Sequence, residues 1–377
     1  AARLEALTAI DQGAKPAIVS AIMKFYATEI GRQSVCDAMD IHGGKGICLG
    51  PNNYLGRIYQ GAPIAITVEG ANILTRNLII TGQGAIRCHP FALKELLAAQ
   101  MNNEEGLRLF DRALFSHIGY SLSNMVRSFW ISLTRGAFLQ IPEHGYARRY
   151  LQAISRLSAN FALVVDVSML TLGGKLKRKE FLSARLADIL SYLYLAAATV
   201  KFFILENQPE SKALLDYSCE YLCAMAQLRL DEFLTDFPNR LVAGFLRFCT
   251  MPRMPGLSYK QPNDLLRTDL SKIVSNLSSV RNKLIEGIDL SKDAKNPNYL
   301  LMQALERVIE NEPLEKRLHQ AIQAGSIQGY LLEEQLSSAL QQGIFTAEEV
   351  SSYLECFKLK MQVINVDSFT KEELVGK

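Results

Sequence analysis

The chain has 377 residues, 49% of them hydrophobic and 21% charged, which is enough apolar material for a large core and too much length for one ordinary domain. A formal net charge of +3, without interleaved aromatic and basic residues, argues against nucleic acid as a partner. Seven cysteines with no CxxC pair and no disulfide-like spacing point to a reducing compartment and buried free thiols, which implies a cytoplasmic location.

From the N-terminus, Ala1 to Leu7 already reads as helix, with no start signal, charged n-region or apolar signal core before it. That is the pattern of a chain entering in mid-domain. Pro16, at a first turn, opens a long helix through Val19, Ile22, Tyr26 and Ile30 that stops at Gly43-Gly44. Pro51-Asn52-Asn53 is a turn, and Gly61-Ala62-Pro63 is expected to interrupt the next helix before Glu69. Helix resumes from Asn72 to Thr81 and is expected to end at Gly82-Gln83-Gly84, completing a bundle over 1–90. Pro90 opens a second region, 91–250, with helices near 91–100, 107–139, 146–171, 180–206 and 211–234. Pro142-Glu143-His144-Gly145, Gly173-Gly174 and Asn207-Gln208-Pro209 separate them. Ile189 to Leu205 falls short of the ~20 apolar residues of a membrane span. Leu182, Leu186, Ile189, Leu193, Ala197, Val200 and Ile204 instead mark one buried face. Met251 to Gly256 reads as a linker, and 251–377 as short amphipathic helices ending in a loose charged tail. The expected fold class is all-α.

Two motifs carry chemistry. Glu69 is a lone carboxylate in the apolar run Ile64-Ala65-Ile66-Thr67-Val68-Glu69-Gly70-Ala71-Asn72. Such a run is expected to pack, stripping water from the carboxylate and raising its pKa, as a base for a weak carbon acid requires. Gly70 lets the backbone approach a ligand closely. Upstream, Ile41-His42-Gly43-Gly44-Lys45-Gly46 ends the long helix in a glycine turn that is not a phosphate-binding Walker loop, because Gly-Lys-[Ser/Thr] is missing. The plainer readings are a helix-capping glutamate and a glycine C-cap.

In order and spacing, Ile-His-Gly-Gly-Lys-Gly and Val-Glu-Gly resemble the C-terminal helical domain of the acyl-coenzyme A dehydrogenases over residues 1–83. The long region that follows resembles that of the bacterial fatty-acyl enzymes of the FadE type. The resemblance implies an FAD-dependent α,β-dehydrogenation of fatty acyl-CoA thioesters, with Glu69 as α-proton acceptor and Gly70 beside the thioester. It also implies Asp40, Gly43, Gly44 and Ala71 as cofactor contacts, a homo-oligomer, and an electron-transfer flavoprotein or equivalent acceptor. The family's flavin-holding β-domain would lie before Ala1. Several positions depart from the family: Asp40 for Gln, Val68 for Tyr, Ala71 for Thr, and Gln60-Gly61 for Arg-Asp. The alternatives are a helical membrane-associated or scaffold module without catalysis and an oxidase-like flavoenzyme.

Other candidates have bland readings beside sharper ones. Arg57, Arg76 and Arg87 read as solvated surface arginines, with a phosphate contact as the alternative. His42 reads as structural, with a flavin contact as the alternative, and His89, His117, His144 and His319 show no ligand spacing, so no metal is expected. Cys219 and Cys223, one helical turn apart, read as core thiols. Lys175-Leu176-Lys177-Arg178-Lys179 is a solvated connector or a contact for anionic lipid at the inner face of the plasma membrane. Gly43-Gly44 and Gly173-Gly174, each after a long helix, hint at a duplicated bundle.

Overall fold

Apolar side chains recurring every three or four residues make helices of nearly the whole chain, and the described residues contain no strand. The computed structural model describes residues 1–142, 145–252, 258–293 and 296–375. In chain order the helices are α1 (Ala2–Asp11), α2 (Ala17–His42), α3 (Leu55–Thr67), α4 (Asn72–Leu74), α5 (Gly84–Arg87), α6 (Ala92–Ala99), α7 (Glu104–Thr134), α8 (Arg148–Leu172) and α9 (Glu180–Glu206). They continue as α10 (Lys212–Thr235), α11 (Arg240–Thr250), α12 (Asp264–Ser275), α13 (Ser279–Leu284), α14 (Pro297–Gln323), α15 (Leu332–Gln341), α16 (Ala347–Ile364) and α17 (Lys371–Val375). A π-helix, Thr75–Gln83, joins α4 to α5, and 3₁₀ turns follow α2 (Gly43–Ile47) and α8 (Gly173–Arg178).

Packing divides the chain into two units, Ala1–Ile30 with Ile64–Ser271 and Gly31–Pro63 with Lys272–Lys377. In the first, α8, α9 and α10 form the centre, with α7, α11, the π-helix and the start of α2 around them. The expected α9 face is buried at Leu182, Leu186, Ile189, Leu193 and Val200, whereas Ile204 is exposed. Ala184, Ala187, Ala196 and Ala198 are buried as well, so small side chains let neighbours approach α9 from several sides. By length and composition, α9, and α8 with its following turn, would each suffice to cross a membrane. Their buried residues belong to one core with α10, as in the central helices of a globular bundle. Cys219 and Cys223 lie in that core, where burial pushes the Cys223 thiol up to about 12 and raises Cys219 too.

The second unit has a smaller core of Leu318, Ile327, Leu336, Ala339 and Phe345, contributed by α14, α15 and the turns beside them. α16 packs on α14 and starts with a capping box, Thr346 Oγ1 accepting from Glu349 N–H and Glu349 accepting from Thr346 N–H.

Several sequence expectations give way here. Helix α3 runs through Gly61-Ala62-Pro63 to Thr67, so Pro63 removes one hydrogen bond without ending the helix. Gly82-Gln83-Gly84 is not a stop either, because the π-helix passes straight into α5. Helix α7 stops at Thr134, where Arg135 takes a left-handed conformation, and α11 occupies residues 240–250, where no helix was expected. The tail is not wholly loose, since Asp367 accepts hydrogen bonds from Asn52 N–H (3.2 Å) and Asn53 Nδ2 (2.6 Å). Most of the expected 251–256 linker, and Glu143 and His144, lie outside the described residues.

Candidate active site

The Glu69 turn belongs to the first unit, directly after α3. Glu69 has φ 53° and Gly70 φ 88°, two successive left-handed residues. For a glutamate that conformation costs about 1 kcal/mol and persists only where neighbours hold it. Arg135 and Asn207, the other non-glycine residues with positive φ among those described, each end a helix with the backbone N–H bonded four residues back. Glu69 differs, because neither its N–H nor that of Gly70 has a hydrogen-bond partner among the described residues.

Two side chains that sequence reasoning passed over hold the turn. Lys24 Nζ, on α2, donates to Gly70 O (2.7 Å) and Asn72 Oδ1 (2.5 Å). The Asn72 amide in turn donates to Thr28 Oγ1 and Glu29 Oε1, both at 2.9 Å. Asn72 is buried, so each of these bonds replaces water that it has lost. The linear signal was slight: an asparagine three residues after the glutamate.

The expectation that the run around Glu69 is buried fails. Glu69 is exposed, and so are Ile64, Val68, Ile73 and Leu74. The reason is that α3 buries only Leu55 and Gly56, leaving its C-terminal half and the Glu69 turn at the surface. Arg76 likewise is not a solvated cation. It pairs with the buried Asp188, which also meets Arg229 Nε (3.1 Å) and Tyr26 OH (3.2 Å). Burial, with Asp188 alongside, drives the Tyr26 phenol far above its ordinary range. Arg57 and Arg87 are exposed.

The glycine turn belongs to the second unit. Gly43 has φ 56°, and the space beside Gly43 and Gly44 that a β-carbon would take is open. His42 packs beneath it: the Ala38 carbonyl accepts from Nδ1 (2.9 Å), leaving Nε2 to accept from the Tyr54 hydroxyl (2.9 Å). Lys45 Nζ reaches Val363 O and ties the turn to the end of α16. Asp40 is exposed on the last turn of α2. The turn at Gly173, with φ 52°, repeats this local pattern of long helix, left-handed glycine and 3₁₀ turn.

A third cluster was invisible in linear spacing. His89, His117 and Asp166 bring ligand-type atoms within 4.8 Å of one another. His89 Nδ1 accepts from the N–H groups of Phe91 (3.2 Å) and Ala92 (3.0 Å), so the proton of the neutral ring sits on Nε2 and goes to Asp166 Oδ1 (2.9 Å). An Nε2 that donates has no lone pair for a metal, and the arrangement is better suited to holding Asp166 than to holding an ion. Ser121 Oγ donates to the other Asp166 oxygen (3.0 Å), and Glu95 lies 2.8 Å from His117 Nδ1. Asp166 borders two cavities of about 230 and 470 Å³.

Residues 86–369 match the family described as acyl-CoA dehydrogenase, C-terminal, bacterial type, and residues 1–83 match the acyl-CoA dehydrogenase C-terminal domain. No solved structure matches the chain. The two matches account for nearly all of the helical architecture and for the segment that carries both turns, and the chain therefore belongs to the acyl-CoA dehydrogenase family.

Proposed function

We propose that the chain supplies the proton-abstracting half of a dehydrogenase that converts fatty acyl-CoA thioesters to trans-2-enoyl-CoA, in an enzyme of the FadE type. Glu69 takes the α-proton. The observation that carries this reading is the turn itself, a glutamate strained into a left-handed conformation and latched by Lys24 and Asn72, with its own N–H unpartnered beside its carboxylate. An α-carbon next to a thioester is too weak an acid for a carboxylate alone. The free Glu69 N–H can donate to the thioester carbonyl and stabilise the enolate as the proton leaves. Gly70 keeps the approach to that carbonyl clear of a side chain.

When bound, FAD would supply the hydride acceptor for the β-carbon. Gly43 and Gly44 fit such a group, because open backbone is what a dinucleotide can lie against. Asp40 and Ala71 fit less well: one sets a negative charge near a pyrophosphate, and the other offers no hydroxyl. Contact through the Gly43-Gly44 backbone is the part of the cofactor reading that we retain, together with a homo-oligomeric, cytoplasmic enzyme that passes its electrons to a flavoprotein acceptor. The order 1–90, 91–250 and 251–377 is proposed for its modules, supported at the first boundary by family matches that meet between residues 83 and 86.

The substitutions at Asp40 and Ala71 favour one competing reading, a module that keeps the fold without the chemistry. Turnover of a long-chain acyl-CoA by the FAD-loaded enzyme containing this chain separates the two. Glu69→Gln is expected to lower kcat by about 10³-fold while leaving thioester affinity near the parent value. A parent enzyme that binds acyl-CoA without turning it over, or a variant within about tenfold of the parent, contradicts the proposal.

A further inference from the structure

The end of the bundle where α8 turns into α9 carries large apolar side chains in almost full contact with water. Leu170, on the last turn of α8, is 86% exposed, Phe181, at the start of α9, is 84% exposed, and Leu241, at the start of α11, is 86% exposed. Isolated exposed leucines are ordinary, but three nearly bare side chains at one end of a bundle are not. Two clefts set Phe181 and Leu170 beside the start of α11. Phe181 lines one with Arg178, Lys179, Asp236 and Pro238, and Leu170 lines another with Phe245 of α11. Leu241 falls between Pro238 and Phe245 along the chain.

Cations surround these side chains. Lys175, Lys177, Arg178 and Lys179 are all exposed, and none makes an ion pair or a side-chain hydrogen bond among the described residues. Leu176, 5% exposed, pegs the 3₁₀ turn into the core and leaves its neighbours pointing outward. Arg240 adds a further positive charge beside Leu241. Of the acids nearby, Asp236 pairs with Arg185 at 2.7 Å, and Glu180 directly follows the basic run.

We propose that this end of the bundle, formed by the 3₁₀ turn Gly173–Arg178 and the first turns of α9 and α11, docks on an anionic lipid surface. Lys175, Lys177, Arg178, Lys179 and Arg240 meet headgroup phosphates, while Phe181 and Leu241 enter the boundary between headgroups and acyl chains. Charge alone would suit an acidic protein or a nucleic acid equally well. Bare leucine and phenylalanine among unpaired cations is the combination that a lipid interface rewards, since it takes up both kinds of group at once. The inference is independent of the role given to Glu69.

Co-sedimentation with phosphatidylcholine vesicles, with and without phosphatidylglycerol, tests it. The parent chain is expected to bind only the anionic vesicles, and less as salt rises. Neutralising Lys175, Lys177, Arg178 and Lys179 to Gln is expected to weaken that binding by about 100-fold or more. Phe181→Ser with Leu241→Ser is expected to weaken it by about tenfold and leave thermal unfolding unchanged, because both side chains are already in water. In a Trp130→Phe background, the indole introduced by Phe181→Trp should be quenched by brominated acyl chains. A parent that does not bind anionic vesicles, or binding that survives both sets of substitutions, overturns the proposal. So does fluorescence of the Phe181→Trp variant that brominated lipid leaves unquenched. A chain that dimerises in sedimentation and loses the dimer with Phe181 and Leu241 assigns the surface to a second copy instead.

Discussion

Among the described residues, the two units differ in the most buried ion pair that each holds. In the first, Asp188 is buried to 3% side-chain exposure and is surrounded by Arg76, Arg229 and Tyr26 from three different segments. In the second, the pair linking α14 to α16, Arg317 with Glu349, keeps 46% and 30% of its side-chain surface in water. A buried charge that loses its partners leaves ions stranded away from solvent, whereas an exposed pair that breaks is taken up by water. Breaking the Asp188 cluster therefore costs the first unit more than breaking the Arg317–Glu349 pair costs the second. Both proposed chemical motifs sit on turns at the margins of these scaffolds.

The largest expected effect tests that contrast. Asp188→Ala should lower the stability of the first unit by about 3–5 kcal/mol, read as a shift in denaturant midpoint, because it strands Arg76 and leaves Arg229 with Glu232 alone. The matching change in the second unit, Glu349→Ala, should lower stability by less than about 1 kcal/mol. Equal losses would erase the distinction.

Asn72→Ala should come next, at about 1–2 kcal/mol, since it removes the acceptor for Lys24 and the donor to Thr28 and Glu29. Hydrogen exchange should rise around residues 68–75 more than in α8 or α9. Uniform protection across the turn would mean that the latch does not hold Glu69.

The smallest effect is a pH dependence in the second unit. The Thr346 backbone N–H, and then the Arg317 guanidinium, hold the Glu349 carboxyl below the usual carboxylate range. A depressed folded-state pKa contributes stability that is present above the ordinary value and is lost as pH falls through the lowered one. The parent should thus lose its advantage over Glu349→Gln progressively on acidification from about pH 5. A difference in melting temperature that does not change with pH would place the Glu349 contribution in packing.

Helix existence was legible along most of the chain because apolar spacing and tertiary burial agree, as at Leu182, Leu186 and Ile189. Helix ends were harder to read. Pro63 and the Gly82-Gln83-Gly84 run look like stops, but the helical trace continues through both. A lone carboxylate in an apolar run does not have one fate in this chain. Glu69 is exposed, whereas Asp166 in Leu163-Val164-Val165-Asp166-Val167 and Asp188 in α9 have side chains only 4% and 3% exposed. The difference lies in the helix that carries the carboxylate: α8 and α9 are packed on several sides, and α3 on almost none. The His89–Asp166–His117 cluster joins residues far apart in the chain, so no local pattern could announce it.

Whether Glu69 is the proton acceptor is tested most directly by exchange of the α-proton in deuterated water, using an acyl-CoA analogue with sulfur at the β-position, from which no hydride can leave. In the FAD-loaded enzyme containing this chain, the parent should wash deuterium into the α-carbon, as followed by NMR. Glu69→Gln should slow that exchange by about 10³-fold with analogue affinity retained. Exchange within about tenfold of the parent in the variant would contradict the account and assign the proton to another residue.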